Sequence, residues 1–271
     1  SRCFKYYNKE LYIIMKTSPL KLLAATLLVL FSACSDDKDA PSSSDFKPQV
    51  HIKNITIGNS VYSSFSYDSE GRYASFAFDS EPVLTFSYLP FSIGGYFNIY
   101  NPIVNKKGHV TSLSVENSDE SGTLKATYNS DGYLTRLEIS VNGQINTRTA
   151  TWKDGLLMSI TSTGIGYMGL SNAQDYIFEY SRTKPVYNQK AQWSTVLAQS
   201  IGENDLCLPL AFCGFLGYAP KQLPQKVTLI EKDDNGNEID RMTLIFEFLL
   251  NSDGTIATEA ADGTILNYTY F

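Results

Sequence analysis

The sequence predicts a mainly all-β protein: a strongly curved antiparallel sheet or partly open β-barrel, built from repeated hairpins, with one short helical insert near residues 188–217. Three observations carry that expectation. With 18 Tyr and 15 Phe, aromatic residues make up 13% of the chain, and such flat, stiff side chains suit a pleated, half-buried surface. From Val50 onward apolar and polar residues alternate over short runs, and those runs are separated by a recurring acid-glycine turn.

The alternation is explicit in four places. Leu84, Phe86 and Tyr88 form one set, Leu124, Ala126 and Tyr128 a second, Leu137, Ile139 and Val141 a third, and Tyr176, Phe178 and Tyr180 a fourth. A period of two puts each set on one face of a sheet, with polar residues on the other. The turns repeat as well. Glu70-Gly71 lies between Tyr67 and Tyr73, Asp131-Gly132 between Tyr128 and Leu134, Asp154-Gly155 between Trp152 and Leu157, and Asp253-Gly254 between Leu250 and Ile256. Each pair supplies the positive φ of a tight reversal, so each marks a hairpin.

One stretch breaks the pattern. Between Asn188 and Gly202 the apolar residues Trp193, Val196, Leu197 and Ile201 fall at helical spacing, and Leu206 to Gly217 is apolar with Pro209 and two glycines. Apolar helical stripes usually pack, so the insert reads as a plug or cap over the open end of the curved sheet, with a ligand-contacting lid as the other reading. Cys207 and Cys213 fall here. Six residues apart, they do not share a helix face; a disulfide and two buried thiols both stay open.

The N-terminal segment belongs to no such body. Lys16 and Lys21 precede an apolar run from Leu22 to Phe31 that ends in Ser32-Ala33-Cys34. A run of about ten apolar residues falls short of the roughly twenty that span a bilayer, and it fits the core of a secretory signal with small residues at the cleavage site. Residues 1–33 are therefore expected to be a signal peptide, with Met15 as the start and residues 1–14, Cys3 among them, as upstream extension. Phe31-Ser32-Ala33-Cys34 resembles a lipobox, with Phe31 where Leu is usual. That resemblance implies lipid on the Cys34 thiol, cleavage just before it and acylation of the new N-terminus; the alternative is an ordinary signal with a Cys at its cleavage site. Several acyl chains, at about 0.8 kcal/mol per buried CH₂, make a lasting anchor. Residues 34–48, charged and Ser-rich, read as a flexible tether, and residues 49–271 as a single curved β domain. The acidic start of the tether resembles the signal that sends Bacteroidetes lipoproteins to the cell surface; a plain solvated linker has the same composition. The expected location is the outer membrane, on its cell-surface or periplasmic face.

Removing residues 1–33 takes away five of 22 basic and one of 28 acidic residues, leaving 17 and 27 and a net charge of −10. An acidic chain with no basic cluster among its aromatics repels phosphate backbones, which argues against nucleic acid.

Chemical motifs are few. Gly164, Gly166 and Gly169 match the dinucleotide fingerprint literally, yet only six residues separate Gly169 from the strand-like run at Tyr176, where the fingerprint needs a helix. Glu231 to Asn237 resembles the first half of a calcium loop, with Met242 where a bidentate Glu is required and Asn235-Gly236 reading as a hairpin turn. His51 and His109 lie in no metal-ligand spacing and read as surface or edge residues. Paired carboxylates for glycoside cleavage are a matter of spatial arrangement, and no pair is nominated. No cofactor, metal or catalytic residue is expected.

Phe215 to Val227, followed by two strands around Asn251-Ser252-Asp253-Gly254 and a closing Asn267-Tyr268-Thr269-Tyr270, resembles a family of Bacteroidetes lipoproteins. That family is described as a domain of unknown function with a porin-like fold, and some members bear the name lipid-binding protein. The likeness covers most of the mature chain, strongest from Phe215 onward, and implies a curved antiparallel sheet with no catalytic residues to carry over. The expected function is a non-enzymatic, membrane-anchored binding protein for a lipid or other apolar ligand on the concave face. The alternatives are a structural or interaction module of the envelope, a glycan-binding surface lipoprotein and, less favoured, a hydrolase. A continuous cavity beside the insert supports ligand binding; a filled interior supports the interaction module.

Overall fold

A computed structural model describes residues 48, 50–78, 81–88, 91–95, 98–116, 121–164, 173–181, 193–201, 206–233 and 235–271. They belong to the compact unit Lys38–Phe271. The expected signal segment, Cys34 and the tether up to residue 47 lie outside the described residues.

Sixteen strands form one antiparallel sheet. The first eight are β1 (Ile52–Ile57), β2 (Ser60–Tyr67), β3 (Tyr73–Phe78), β4 (Glu81–Tyr88), β5 (Phe91–Gly95), β6 (Asn98–Val104), β7 (Val110–Glu116) and β8 (Ser121–Tyr128). They are followed by β9 (Leu134–Val141), β10 (Gln144–Lys153), β11 (Leu156–Gly164) and β12 (Gln174–Glu179), then α1 (Thr195–Ile201) and α2 (Cys207–Phe212). The chain ends with β13 (Lys226–Lys232), β14 (Glu238–Leu250), β15 (Ile256–Ala261) and β16 (Thr264–Tyr270). Neighbours in sequence are neighbours in the wall, and β1 pairs with β16 through Ile55↔Tyr268, so the sheet curls into a nearly closed barrel. One seam stays open, between β5 and β6. On its paired side β6 is irregular: Asn101 turns to φ +50 before Pro102, which has no N–H to donate, and the register with β7 shifts on both sides of Ile103. From inside, Phe215 backs the seam, its ring 5.0 Å from Phe86 and 5.6 Å from Phe91.

The repeated turns are built by side chains close in sequence. Asp68 Oδ1 accepts the N–H groups of Glu70 and Arg72, each at 2.9 Å. Asn129 Oδ1 does the same for Asp131, Gly132 and Tyr133, and Asn105 for Lys107 and His109. An Asx carbonyl saturates the loop, and glycine takes the left-handed position that closes it. These loops, with Asp154-Gly155 and residues 251–255, gather at one end of the barrel, called here the turn end.

Aromatic residues precede the turns because each one ties a hairpin shut. Tyr67 donates its hydroxyl to Ile52 O (2.9 Å), Tyr88 to Tyr73 O (2.8 Å), Tyr128 to Val110 O (2.6 Å), Tyr180 to Leu157 O (2.7 Å) and Tyr270 to Ile256 O (2.5 Å). Trp152 Nε1 makes the equivalent bond to Leu134 O at 2.7 Å. In every case the donor sits at or near the end of one strand and the acceptor at the start of the preceding one, so the half-buried ring has its polar tip satisfied.

All four alternating sets face inward: Leu84, Leu124, Leu137 and Phe178 are fully buried, and the others pack with the core except Val141, which is half-buried at the end of β9. The insert fills the space they enclose. Trp193, Leu197, Ala198, Ile201, Leu210 and Phe212 are buried among the wall residues, with Phe212 stacked on Phe76 at 5.8 Å. The helical expectation narrows to α1 and α2, since Trp193 precedes the first helix rather than lying on it. Past α2 the chain crosses the turn end as a strap. Val110 N donates to Phe215 O, Tyr218 N to Gly132 O, Lys221 N to Gly155 O and Gln225 N to Glu179 O, so the strap fastens β7, the β8–β9 and β10–β11 turns and β12 in order.

Candidate functional site

The residues singled out from sequence mostly resolve into structural roles. Gly164 ends β11 at φ +115, and a Cβ there would lie 2.1 Å from Ile145 O, so the glycine permits a close strand approach; Gly166 and Gly169 lie outside the described residues. Asp233 spends its carboxylate on the turn that joins β13 and β14, accepting from Asn235 N, Asn237 N and Asn237 Nδ2. Cys207 and Cys213 are buried thiols, not joined in a disulfide, and burial pushes the Cys213 thiol well up. Among the described residues no group of three or more His, Cys, Asp or Glu is placed to hold a metal.

His109 departs from the expected surface position. It is 2% exposed, wedged between Tyr128 and Tyr218 with ring centroids 5.1 and 4.8 Å away, and its Nδ1 has no hydrogen-bond partner. The strap covers it, which no local pattern announces. Burial, with Lys107 nearby, pushes its pKa down to about 4. His51 is half-buried, its Nε2 3.0 Å from Gly71 O.

Two buried charges missed by the sequence reading hold the plug. Glu259 on β15, 3% exposed, accepts Thr195 N and Val196 N at 2.9 Å each and the Tyr268 hydroxyl at 2.6 Å. Arg148 on β10, 5% exposed, donates from a guanidinium nitrogen to Ser200 O at 2.7 Å. The wall therefore presents a carboxylate to the first N–H groups of α1 and a cation to its last carbonyls, the arrangement that complements a helix's orphan groups and dipole.

Beside Arg148 the inner wall turns polar. Register pairs Arg148 with Ser162, Ser162 with Gln174 and Gln174 with Glu231, so four inward side chains make a row across β10 to β13. One step further from the turn end on β10 lies Asn146, opposite Gly164. Ser162 is 1% exposed and its Oγ is unpartnered; both amide atoms of Asn146 are likewise buried without a partner. Tyr176 donates to Gln174 Oε1 at 3.3 Å.

Outside, the wall strands carry many charged and hydroxyl side chains. Thr123, Lys125 and Thr127 on β8, Thr149, Thr151 and Lys153 on β10, and Arg241, Thr243 and Glu247 on β14 are exposed. A barrel that spans a membrane carries an apolar band outside and polar residues within, and each Arg or Lys facing mid-bilayer lipid costs about 2–4 kcal/mol. This wall carries Lys and Arg at outward positions, with Ile145, Ile177, Ile245, Leu249 and Ile265 exposed among them. Fold and site together define a plugged antiparallel barrel.

Solved structures share that fold. A porin-like protein from Bacteroides uniformis superposes with a TM-score of 0.59 at 13% identity, over 82% of this chain and 96% of that one. No protein-family model and no curated protein matches the chain.

Proposed function

We propose that this chain is an envelope lipoprotein, anchored through lipid on Cys34, whose barrel is a non-enzymatic binding and interaction module rather than a pore. The observation that carries the reading is the wall itself: its interior is packed with the chain's own insert, and charged and hydroxyl side chains line much of its outer face. A plug held by Glu259 and Arg148 blocks conduction, and that outer face keeps the barrel in water, so membrane attachment falls to the N-terminal lipid. The buried titratable groups support a non-enzymatic role, since Glu259 is engaged with α1 and His109 is sealed beneath the strap.

The filled interior favours the interaction module over an apolar-ligand carrier. Phe65, Phe76 and Phe86, the aromatics an acyl chain would need, already contact Phe212 and Phe215. The chain enters β1 at the turn end, where Tyr67 meets Ile52 and Phe271 N meets His51 O.

Two measurements test this. In its native host, wild-type protein should incorporate an alkyne fatty acid and sediment with membranes, whereas Cys34→Ser should lose both properties; equal labelling of the variant would overturn the anchor. Native mass spectrometry should give the acylated mass alone. A stoichiometric non-covalent lipid would reinstate the apolar-ligand carrier.

A further inference from the structure

We propose that the strap over the turn end is an acid-triggered latch: protonation of the His109 ring lifts residues 218–221 off the barrel while the wall stays folded. The device depends neither on the anchor at Cys34 nor on a ligand.

His109 closes the β6–β7 turn, and its backbone is pinned there by Asn105. The Asn105 N–H donates to His109 O at 2.9 Å, and the His109 N–H to Asn105 Oδ1 at 3.1 Å. The wall therefore holds the ring, and the strap lies against it. Tyr218 meets it edge-on at 4.8 Å, and on the adjoining turn a Cβ at Gly132 would lie 3.2 Å from His109 Cε1. Nδ1 is buried without a hydrogen-bond partner. A neutral imidazole can leave one nitrogen as an unused acceptor, whereas an imidazolium has two N–H donors to place. Stranding a charged donor in a dry site is the more costly of the two.

The surrounding groups give that charge no counter-ion. Lys106 and Lys107 lie on the ring's own turn, with Lys107 Nζ donating to Ser130 O and standing over the Tyr218 ring. Residues 215–225 carry one charge, Lys221, which packs against Gly155. From β8 comes the Tyr128 phenol, bonded to Val110 O, with the buried Cys207 thiol of α2 near it. Asp131, on the β8–β9 turn, is exposed. Burial and the Lys107 charge together push the ring's pKa down to about 4.

Of the elements around the ring, the strap is the one free to yield. Its ends are fixed: Phe215, Leu216 and Leu223 are buried, and Gly217 O accepts Trp193 Nε1 at 3.0 Å. Between them the bonds to the turns are Tyr218 N to Gly132 O at 3.2 Å and Lys221 N to Gly155 O at 3.0 Å, Pro220 has no N–H to add, and Ala219 and Pro220 bury only small side chains. Lifting residues 218–221 breaks those two bonds, whereas moving His109 undoes a wall turn, so the strap opens first. Once it has lifted, the ring regains its ordinary pKa near 6.5. The opened state then binds a proton that the closed state refuses, and acid favours opening.

Hydrogen–deuterium exchange of the full chain, read by mass spectrometry on peptides and corrected for the intrinsic pH dependence of amide exchange, tests the latch. Relative to pH 7.5, the opening of peptides spanning residues 217–222 should rise roughly 30-fold at pH 5 and roughly 150-fold at pH 4. Peptides from β8 and β13 should keep their protection over the same range. His109→Gln and His109→Phe should each abolish the rise; the second keeps a flat, neutral ring between Tyr128 and Tyr218 and guards against a Gln variant that fails to fold. An opening that does not change with pH, that spreads equally to β8 and β13, or that persists in either variant overturns the proposal.

Discussion

The Tyr268 hydroxyl donates to Glu259 Oε2 at 2.6 Å inside the barrel, and that same carboxylate receives the first two N–H groups of α1. Wall and plug are thus joined by one buried acid from β15. Burial dominates its environment and raises its pKa above the ordinary carboxylate value, with the three hydrogen bonds opposing.

Glu259→Ala should cost about 2–4 kcal/mol in denaturant unfolding, because it strands two helix N–H groups and the Tyr268 hydroxyl. The pH dependence has a definite sign. A carboxyl whose pKa is raised on folding stabilises most below its unfolded value, and that contribution is lost as pH rises through the folded value. Stability of wild type relative to Glu259→Gln should therefore fall as pH climbs from about 4. A difference independent of pH would show that the acid is not perturbed.

His109 gives the opposite slope. Its pKa, pushed down to about 4, keeps the ring neutral at physiological pH. Stability held by the neutral ring is full above about 6.5 and is lost as pH falls towards 4, by roughly 3 kcal/mol. His109→Gln should flatten that limb, and the His109 ring signals should not titrate between pH 8 and about 5.5 in NMR spectra.

Two turn glycines separate backbone strain from collision. Gly132 sits at φ +97 with the Tyr218 ring 2.8 Å from where a Cβ would be, whereas Gly143, at φ +81, has nothing within 4 Å. Gly143→Ala should cost about 1 kcal/mol by thermal unfolding, and Gly132→Ala clearly more, since it must also displace the strap.

The tyrosine ties are individually modest. Tyr128→Phe removes the 2.6 Å bond to Val110 O and should lower stability by about 1 kcal/mol. Tyr100→Phe, on a ring 46% exposed, should stay within about 0.5 kcal/mol in the same assay.

The hairpins were legible because their causes are local. Asp68 and Asn129 bond backbone groups within four residues, and Leu124, Ala126 and Tyr128 share a face whatever strand lies beside them. The insert was legible as a packed apolar element for a similar reason. The residues that hold it were not. Arg148 lies in Thr147-Arg148-Thr149, which reads as solvent face, and its partner Ser200 is 52 residues away. Glu259 meets Thr195 from 64 residues away. The row from Arg148 to Glu231 exists only through the register of four strands, so no linear motif could announce it.

By itself, then, the sequence determined the secondary structure, the turn chemistry, the inward faces and the expectation of a lipid anchor at Cys34. Tertiary structure decided that the barrel is filled, that its last seam stays open between β5 and β6, that His109 is buried, and that two charges face the ends of one helix. The division is physical. Backbone geometry and side-chain alternation act over two to five residues, while burial and charge compensation depend on which distant strand the closing barrel brings against the insert.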